Sequence, residues 1–335
     1  MLKPTDLLRP TAAGLYCPPG DFHIDPVRPV ARAIVTHGHA DHARPGHGAV
    51  LATPATLDIM ALRMGDDAGE ARQPLDYGER LNLNGVDVWF APAGHVLGSA
   101  QVAVEHDGCR IVVSGDYKRR PDPTCPAFEP VPCDVFVSEA TFALPVFRHP
   151  PDRQEIDKLL ASMRLFPERC HLLGVYALGK AQRVLALLRR AGYDAPIYLH
   201  GALTAMCDLY RRHGVDLGDL RLVADADKAD LAGQLVLAPP SALQDRWTRR
   251  LPDPLPAFAS GWMGVRVRAR QRAVELPLII SDHADWDELT ATTDELAPAE
   301  IWVTHGREEA LVHYARSRGQ RAQALALVGY DEDAA

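Results

Sequence analysis

The chain has 335 residues, 47% of them hydrophobic and 24% charged, with a net charge of −8. That composition fits an ordinary globular protein of one large domain with an insertion, or of two domains, and argues against a disordered or fibrous chain. No run approaches the ~18 consecutive apolar residues of a bilayer span, and the opening MLKPTDLLRPTAAG lacks a secretory apolar stretch, so a cytoplasmic address is expected. The six cysteines form no C-x-x-C pair, which argues against a thiolate zinc site and for reduced, buried thiols.

Short apolar runs alternate with helical patterns along the chain, as in a layered α/β fold. Strands are expected at RAIVT (32–36) and AVLAT (49–53), followed by a helix that Thr53 caps and Pro54 opens. VDVWFAPA (86–93) reads as a strand, and AQVAVEHDGCRIVVSG as a hairpin turning at Asp107-Gly108. DVFVSEA (134–140) is a further strand, after which the prolines of LPVFRHPPD (144–152) break the pattern. A second alternation begins near residue 153, with strands at HLLGVYA (171–177), PIYLHG (196–201), QLVLAPP (234–240) and AFASGW (257–262). The first pattern returns with VELPLIISDH (274–283), a helix from Asp285, the strand EIWVTHG (300–306) and a last helix through LVHYARSRG.

Charge is divided unevenly between these patterns. Residues 151–276 hold 19 Lys+Arg against 14 Asp+Glu, a balance of +5, whereas the rest of the chain stands at −13. The excess includes Arg189-Arg190, Arg211-Arg212, WTRR (247–250) and RVRARQR (266–272). A solvated surface accounts for such runs as readily as a polyanion-binding face does.

The chemistry concentrates in VTHGHADHARPG (35–46), where His37, His39, Asp41 and His42 fall within six positions. A helix would point His37 and His39 apart. In a tight loop alternate residues can converge while Gly38 lets the backbone pass close by. Imidazole and carboxylate together suit zinc, with manganese or iron as competitors. His37 follows RAIVT, His95 follows VDVWFAPA and Asp116 follows RIVVSG, while Glu139, His283 and His305 end DVFVS, LPLII and EIWVT. All six therefore sit on the C-terminal edge of expected strands, where α/β folds build their sites. Seven ligand candidates, His37, His39, Asp41, His42, His95, Asp116 and His305, exceed what one tetrahedral ion takes. Two ions about 3.5–4 Å apart are expected instead, an arrangement suited to hydrolysing phosphate esters.

H-G-H-A-D-H resembles the H-x-H-x-D-H signature of the metallo-β-lactamase superfamily, whose fold is an αββα sandwich, and AGHVLGS, SGDYK and THG continue the match in that family's order. The resemblance implies that His37, His39 and His95 hold one metal, that Asp41, His42 and His305 hold a second, and that Asp116 bridges them. It also implies that Asp25 in FHIDP orients a metal-binding histidine without binding metal itself. SEATF with Glu139, SDHADW with His283 and VTHG with His305 resemble motifs A, B and C of the β-CASP nucleases. YALGKAQRV and SGWM are similar to segments of the cap inserted in those enzymes. Taken together, GDFHIDP, PAGHVLGSAQV, SGDYK, GKAQR, SGWM and SDHADW most resemble bacterial ligase-associated DNA exonucleases, relatives of Artemis-type nucleases and RNase J.

The resemblance implies a metallo-β-lactamase domain of residues 1–150 and 277–335, interrupted by a smaller α/β cap of 151–276. The implied activity is that of a metal-dependent exonuclease in DNA repair, acting 5′→3′ on single-stranded or overhanging ends. It would use two divalent ions, zinc first, with Asp41, Glu139 and His283 in catalysis and His283 as the acid that Glu139 orients. A DNA ligase and a helicase are the partners the family implies. Lys118, Arg119, Lys180 and Ser281 are candidate phosphate contacts. Lys180 does not belong to an ATP-binding loop, because Ala181 stands where the magnesium-binding hydroxyl would be. An RNase J-like ribonuclease, a thioester or lactone hydrolase on the same fold, and a non-catalytic scaffold stay open as alternatives.

Overall fold

Two sheets pack face to face through side chains that alternate along each strand. The first sheet runs in sequence order through β1 (Arg9–Thr11), β2 (Gly14–Cys17), β3 (Phe22–Ile24), β4 (Arg32–Ile34), β5 (Ala49–Ala52) and β6 (Ala71–Pro74). The second is built from β7 (Arg80–Leu83), β8 (Val86–Pro92), β9 (Ala100–His106), β10 (Cys109–Val113), β11 (Val135–Ala140), β18 (Glu300–Gly306) and β19 (Arg321–Ala324). Its order is β19-β18-β11-β10-β9-β8-β7, antiparallel from β7 to β10 and parallel from β10 to β19. The computed structural model describes residues 2–271 and 273–325.

Period-two alternation decides what each face meets. Ile34 packs into the sandwich with Phe22, Ile24, Val102, Val137 and Trp302. Its neighbours Ala33 and Val35 pack on the other side with Leu57 and Met60 of the helix Pro54–Met64. On the second sheet Val135 and Val137 join the interior, while Phe136 joins Leu289 and Leu311 of the helices Trp286–Leu296 and Glu308–Ser317. The layers are therefore helix, sheet, sheet, helix, the αββα sandwich expected from the motifs. The Thr53 hydroxyl caps the first helix by accepting from the Thr56 N–H at 3.3 Å. The hairpin turns at Asp107 and Gly108, both with positive φ. Strands β1 to β3 went unread in the sequence because they are short and, unlike RAIVT and AVLAT, hold no run of consecutive β-branched and aliphatic residues.

The chain divides into two units, Met1–Arg148 with His283–Ala335, and His149–Asp282. The second unit carries a wholly parallel sheet of β12 (Cys170–Gly174), β13 (Ile197–Leu199), β14 (Leu220–Leu222), β15 (Leu235–Ala238), β16 (Pro254–Ala259) and β17 (Leu276–Leu278), ordered β14-β13-β15-β12-β16-β17. Its central strands are buried on both faces and read as unbroken apolar runs such as LVLA. The run LPLII was expected to lead straight into His283. Instead β17 ends at Leu278, as the edge strand of this sheet, a position that tolerates the missing N–H of Pro277. His283 thus follows a loop. No helix among the described residues is long and apolar enough to cross a membrane.

Candidate metal centre

Strand ends of the first unit deliver most of the site. Beyond β4, Asp25 fixes the start of the loop: its Oδ1 accepts from the Thr36 N–H at 2.8 Å and its Oδ2 from the Thr36 hydroxyl at 2.6 Å. The same Oδ2 lies 2.7 Å from His42 Nδ1. A His42 tautomer that donates from Nδ1 to this carboxylate turns its Nε2 lone pair toward Asp116. Residues 39–43 close a turn through the Ala43 N–H donating to the His39 carbonyl at 2.8 Å. Gly38 lies against the neighbouring helix, where a β-carbon would come within 2.4 Å of Ile59, so a larger residue would push the whole loop outward.

The donor atoms converge. His39 Nδ1 lies 3.0 Å from both His37 Nε2 and His95 Nε2. Asp116 Oδ2 is 3.3 Å from His37 Nε2, 3.6 Å from His95 Nε2 and 3.4 Å from His42 Nε2. His42 Nε2 is in turn 3.7 Å from Asp41 Oδ2. An ion with bonds of about 2.0–2.2 Å holds tetrahedral ligands about 3.3–3.6 Å apart, so this donor set fits a metal. The atoms form overlapping groups, His37, His39, His95 and Asp116 in one and Asp41, His42 and Asp116 in another, each able to hold a metal ion. Asp116 is common to both.

Burial sets the protonation of these groups. It pushes His95 well below its ordinary value, with His37 and His283 adding to the effect, and takes His305 down to about 4. Both rings are therefore neutral near pH 7, the form that can offer a lone pair. Burial also opposes charge on His42, but Asp116, Asp41 and Asp25 outweigh it and raise His42 well above the usual imidazole range. The carboxylates that hold a proton there are those that would draw a cation in its place.

His305 comes to the site by a backbone irregularity. The pairing of β11 with β18 shifts register between Ser138 and Ala140, and His305 opposite has φ of 57°. Such a bulge re-aims side chains at a strand end. It brings the His305 ring to a centroid distance of 5.1 Å from His42. Gly306 follows at φ of 115°, where a β-carbon would lie 2.4 Å from the Ala140 carbonyl oxygen. On the neighbouring strand Glu139 is buried and doubly held, with Oε1 accepting from the Tyr117 N–H at 2.7 Å and Oε2 from the Thr141 hydroxyl at 2.5 Å. His283 Nδ1 lies 2.9 Å from Glu139 Oε2 and 4.0 Å from Asp116 Oδ2. Thr36 and Thr141 escaped the sequence reading, although Thr141 sits two residues beyond Glu139 and so shares its face.

No family model matches the chain. A probable DNA ligase of Opitutus terrae is 27% identical over 316 residues, 93% of this chain and 30% of that protein. A ribonuclease of Thermus thermophilus is 31% identical over 226 residues, 57% of this chain and 51% of that protein. Subunit 3-I of the Arabidopsis thaliana cleavage and polyadenylation specificity factor is 24% identical over 383 residues, 89% of this chain and 54% of that protein. The similarity to these relatives, which runs over 57–93% of this chain, fits the β-CASP branch of the metallo-β-lactamase superfamily that the motifs resemble. The chain spans 30–54% of the length of those three relatives. In fold it is also similar to a crystal structure of a protein of unknown function from Enterococcus faecalis, with a TM-score of 0.58 and 12% identity, covering 89% of this chain and 80% of that one.

Each expected phosphate contact has a partner within its own unit. Lys118 is fully buried with Nζ 2.6 Å from Asp122 Oδ2. Arg119 lies 2.6 Å from Glu295 and donates to Thr292. Lys180 is buried in the second unit, donating to the Ile280 carbonyl at 2.7 Å and lying 2.9 Å from Asp282. Ser281 is buried too, and its carbonyl accepts from Arg183. All three cations face carboxylates of the protein itself.

Proposed function

We propose that this chain is a β-CASP two-metal phosphodiesterase that shortens DNA from single-stranded or overhanging ends, in the 5′→3′ direction, as part of repair. The reading rests above all on Asp116, the carboxylate shared by the donor groups that converge at the strand ends. His37, His39 and His95 would hold one ion and Asp41, His42 and His305 the other, with zinc the metal best suited to this nitrogen-rich set. When bound, such ions supply an activated water and offset the charge that builds on phosphate oxygens. The protein's own groups do the rest. Asp25 holds His42 in one tautomer, and Glu139 holds His283 by Nδ1. A protonated His283 then carries its second proton on Nε2, from where it passes to the leaving oxygen and leaves a neutral ring still bonded to Glu139.

DNA is favoured as substrate by the ligase-associated motif set and by the 93% of the chain that aligns within a protein named a probable DNA ligase. The same alignment supports a ligase as working partner, with a helicase suggested by the family alone. The ribonuclease relative favours RNA as a second reading. End-labelled oligonucleotides of both polarities, offered as DNA and RNA in competition, separate the two. Release of mononucleotides from DNA 5′ ends is expected. Release from 3′ ends alone would overturn the polarity, and preference for RNA would overturn the substrate.

A further inference from the structure

Because the sheet of the second unit is wholly parallel, its strands all exit on one edge. Strands β15 and β16 flank β12 and leave that edge about 10 Å apart, two strand spacings. Their exits are built alike. After β15, Asp245 Oδ1 accepts from the Trp247 N–H at 2.8 Å and opens the 3-10 turn Arg246–Arg250. After β16, Ser260 Oγ accepts from the Trp262 N–H at 3.3 Å and opens the turn Gly261–Gly264, which leads into the helix Arg266–Gln271. Each capped turn carries a half-buried tryptophan with arginines close to it in sequence. Leu243 packs against both the cluster that includes Trp247 and the cluster that includes Trp262, joining the two stations.

The arginines carry the argument. Other exposed arginines of this unit are neutralised nearby, Arg153 by Asp157, Arg211 by Asp208 and Arg221 by Asp219. Arg164, Arg190 and Arg212 lie in last helical turns, where the carbonyl end of the helix favours a cation, and so do Arg249, Arg250, Arg268 and Arg270. Among the described residues no carboxylate lies within 4.0 Å of Arg246, Arg249, Arg250, Arg266, Arg268 or Arg270. Arg268 instead stacks over Trp262 at 3.9 Å, and Trp247 packs edgewise on His200 at 4.6 Å. Arg272, the last residue of the basic run, lies outside the described residues. Uncompensated cations beside planar side chains match a single strand, whose phosphates need charge and whose unpaired bases need a face to stack on. A duplex has its bases stacked on one another and would use only the charge. A membrane would want a continuous apolar face, and the exposed apolar side chain here is the lone Val267.

We infer that this edge is a track for single-stranded nucleic acid. Bases stack at Trp247 and on the Trp262–Arg268 pair, and phosphates are met by the neighbouring arginines. The inference takes its ligand class from the nuclease reading and adds where a strand is gripped. Anisotropy of a fluorescent, phosphorothioate-protected oligodeoxythymidylate, titrated with the full-length protein, tests it. Trp247→Ala and Trp262→Ala should each weaken binding about tenfold, and the matching phenylalanine variants should keep most of the affinity. Replacing Arg266 and Arg270 together by serine, which removes exposed groups and cannot unfold the domain, should lower the slope of log affinity against log salt by about 1.4. Arg153→Ser and Arg221→Ser should leave affinity and slope unchanged. Wild-type affinity in both alanine variants, an unchanged salt slope in the arginine double variant, or equal affinity for blunt duplex would overturn the inference. Hydrolysis of bis(p-nitrophenyl) phosphate by the wild-type protein reports on the metal centre separately. An inactive protein that still grips the strand through the tryptophans sinks the enzyme reading alone. An active one whose affinity ignores these residues sinks the track alone.

Discussion

At the scale of single residues, His37, His95 and Asp116 stand out in the sequence because each follows an apolar run, and His39, Asp41 and His42 because they crowd behind His37, whereas what these side chains touch is not legible there. Nothing in the sequence pairs Lys118 with Asp122 or Arg119 with Glu295, although each pair lies 2.6 Å apart. Asp25 is the most exposed of these readings to test. Its two oxygens serve Thr36 twice and His42 once, so Asp25→Ala frees a loop and a ring together. We expect metal affinity at the His42 position to fall about 10- to 100-fold, read as metal retained per chain after dialysis. Retention equal to wild type would separate Asp25 from the centre. Asp41→Asn and His42→Ala should abolish cleavage while circular dichroism stays native. His283→Ala should slow single-turnover cleavage by ~10²–10⁴-fold, the usual worth of a general acid, and an unaltered rate would remove it from the mechanism.

Elements were readable where they are long and periodic, and unreadable where tertiary pairing creates them. β8, the β9–β10 hairpin and β18 stand within a residue or two of their expected bounds. The bulge opposite Glu139 has no sequence signature beyond Gly306. Gly306→Ala should therefore cost stability, roughly 1–3 kcal/mol of backbone strain before any clash with Ala140, and should also lower metal content by moving His305. A thermal midpoint matching wild type would show that the bulge relaxes freely. In the second unit Arg183 is buried between Asp152 and Asp282. Arg183→Met would leave Asp152 without this counter-charge and Asp282 with Lys180 alone, a loss of about 3–5 kcal/mol in chemical denaturation. That helix was foreseen from GKAQR, whereas its buried arginine was counted only as one more basic residue.

For the whole molecule, alternation gave a layered α/β fold and the motifs' resemblance implied the αββα order, while the point where the insertion rejoins was hidden, because LPLII reads equally well as a strand of either unit. Holding the metal at strand ends of the first unit alone makes a prediction for hydrogen exchange. Chelation should speed exchange in the loops around residues 36–42, 94–95 and 115–116 and leave β12, β15 and β16 untouched, whereas uniform acceleration would contradict a local centre. The bulge at His305 has one more consequence, in the order of synthesis. His37, His39, His95 and Asp116 all emerge from the ribosome early, but His305 arrives only after the inserted unit has been translated, on a strand that must zip beside β11.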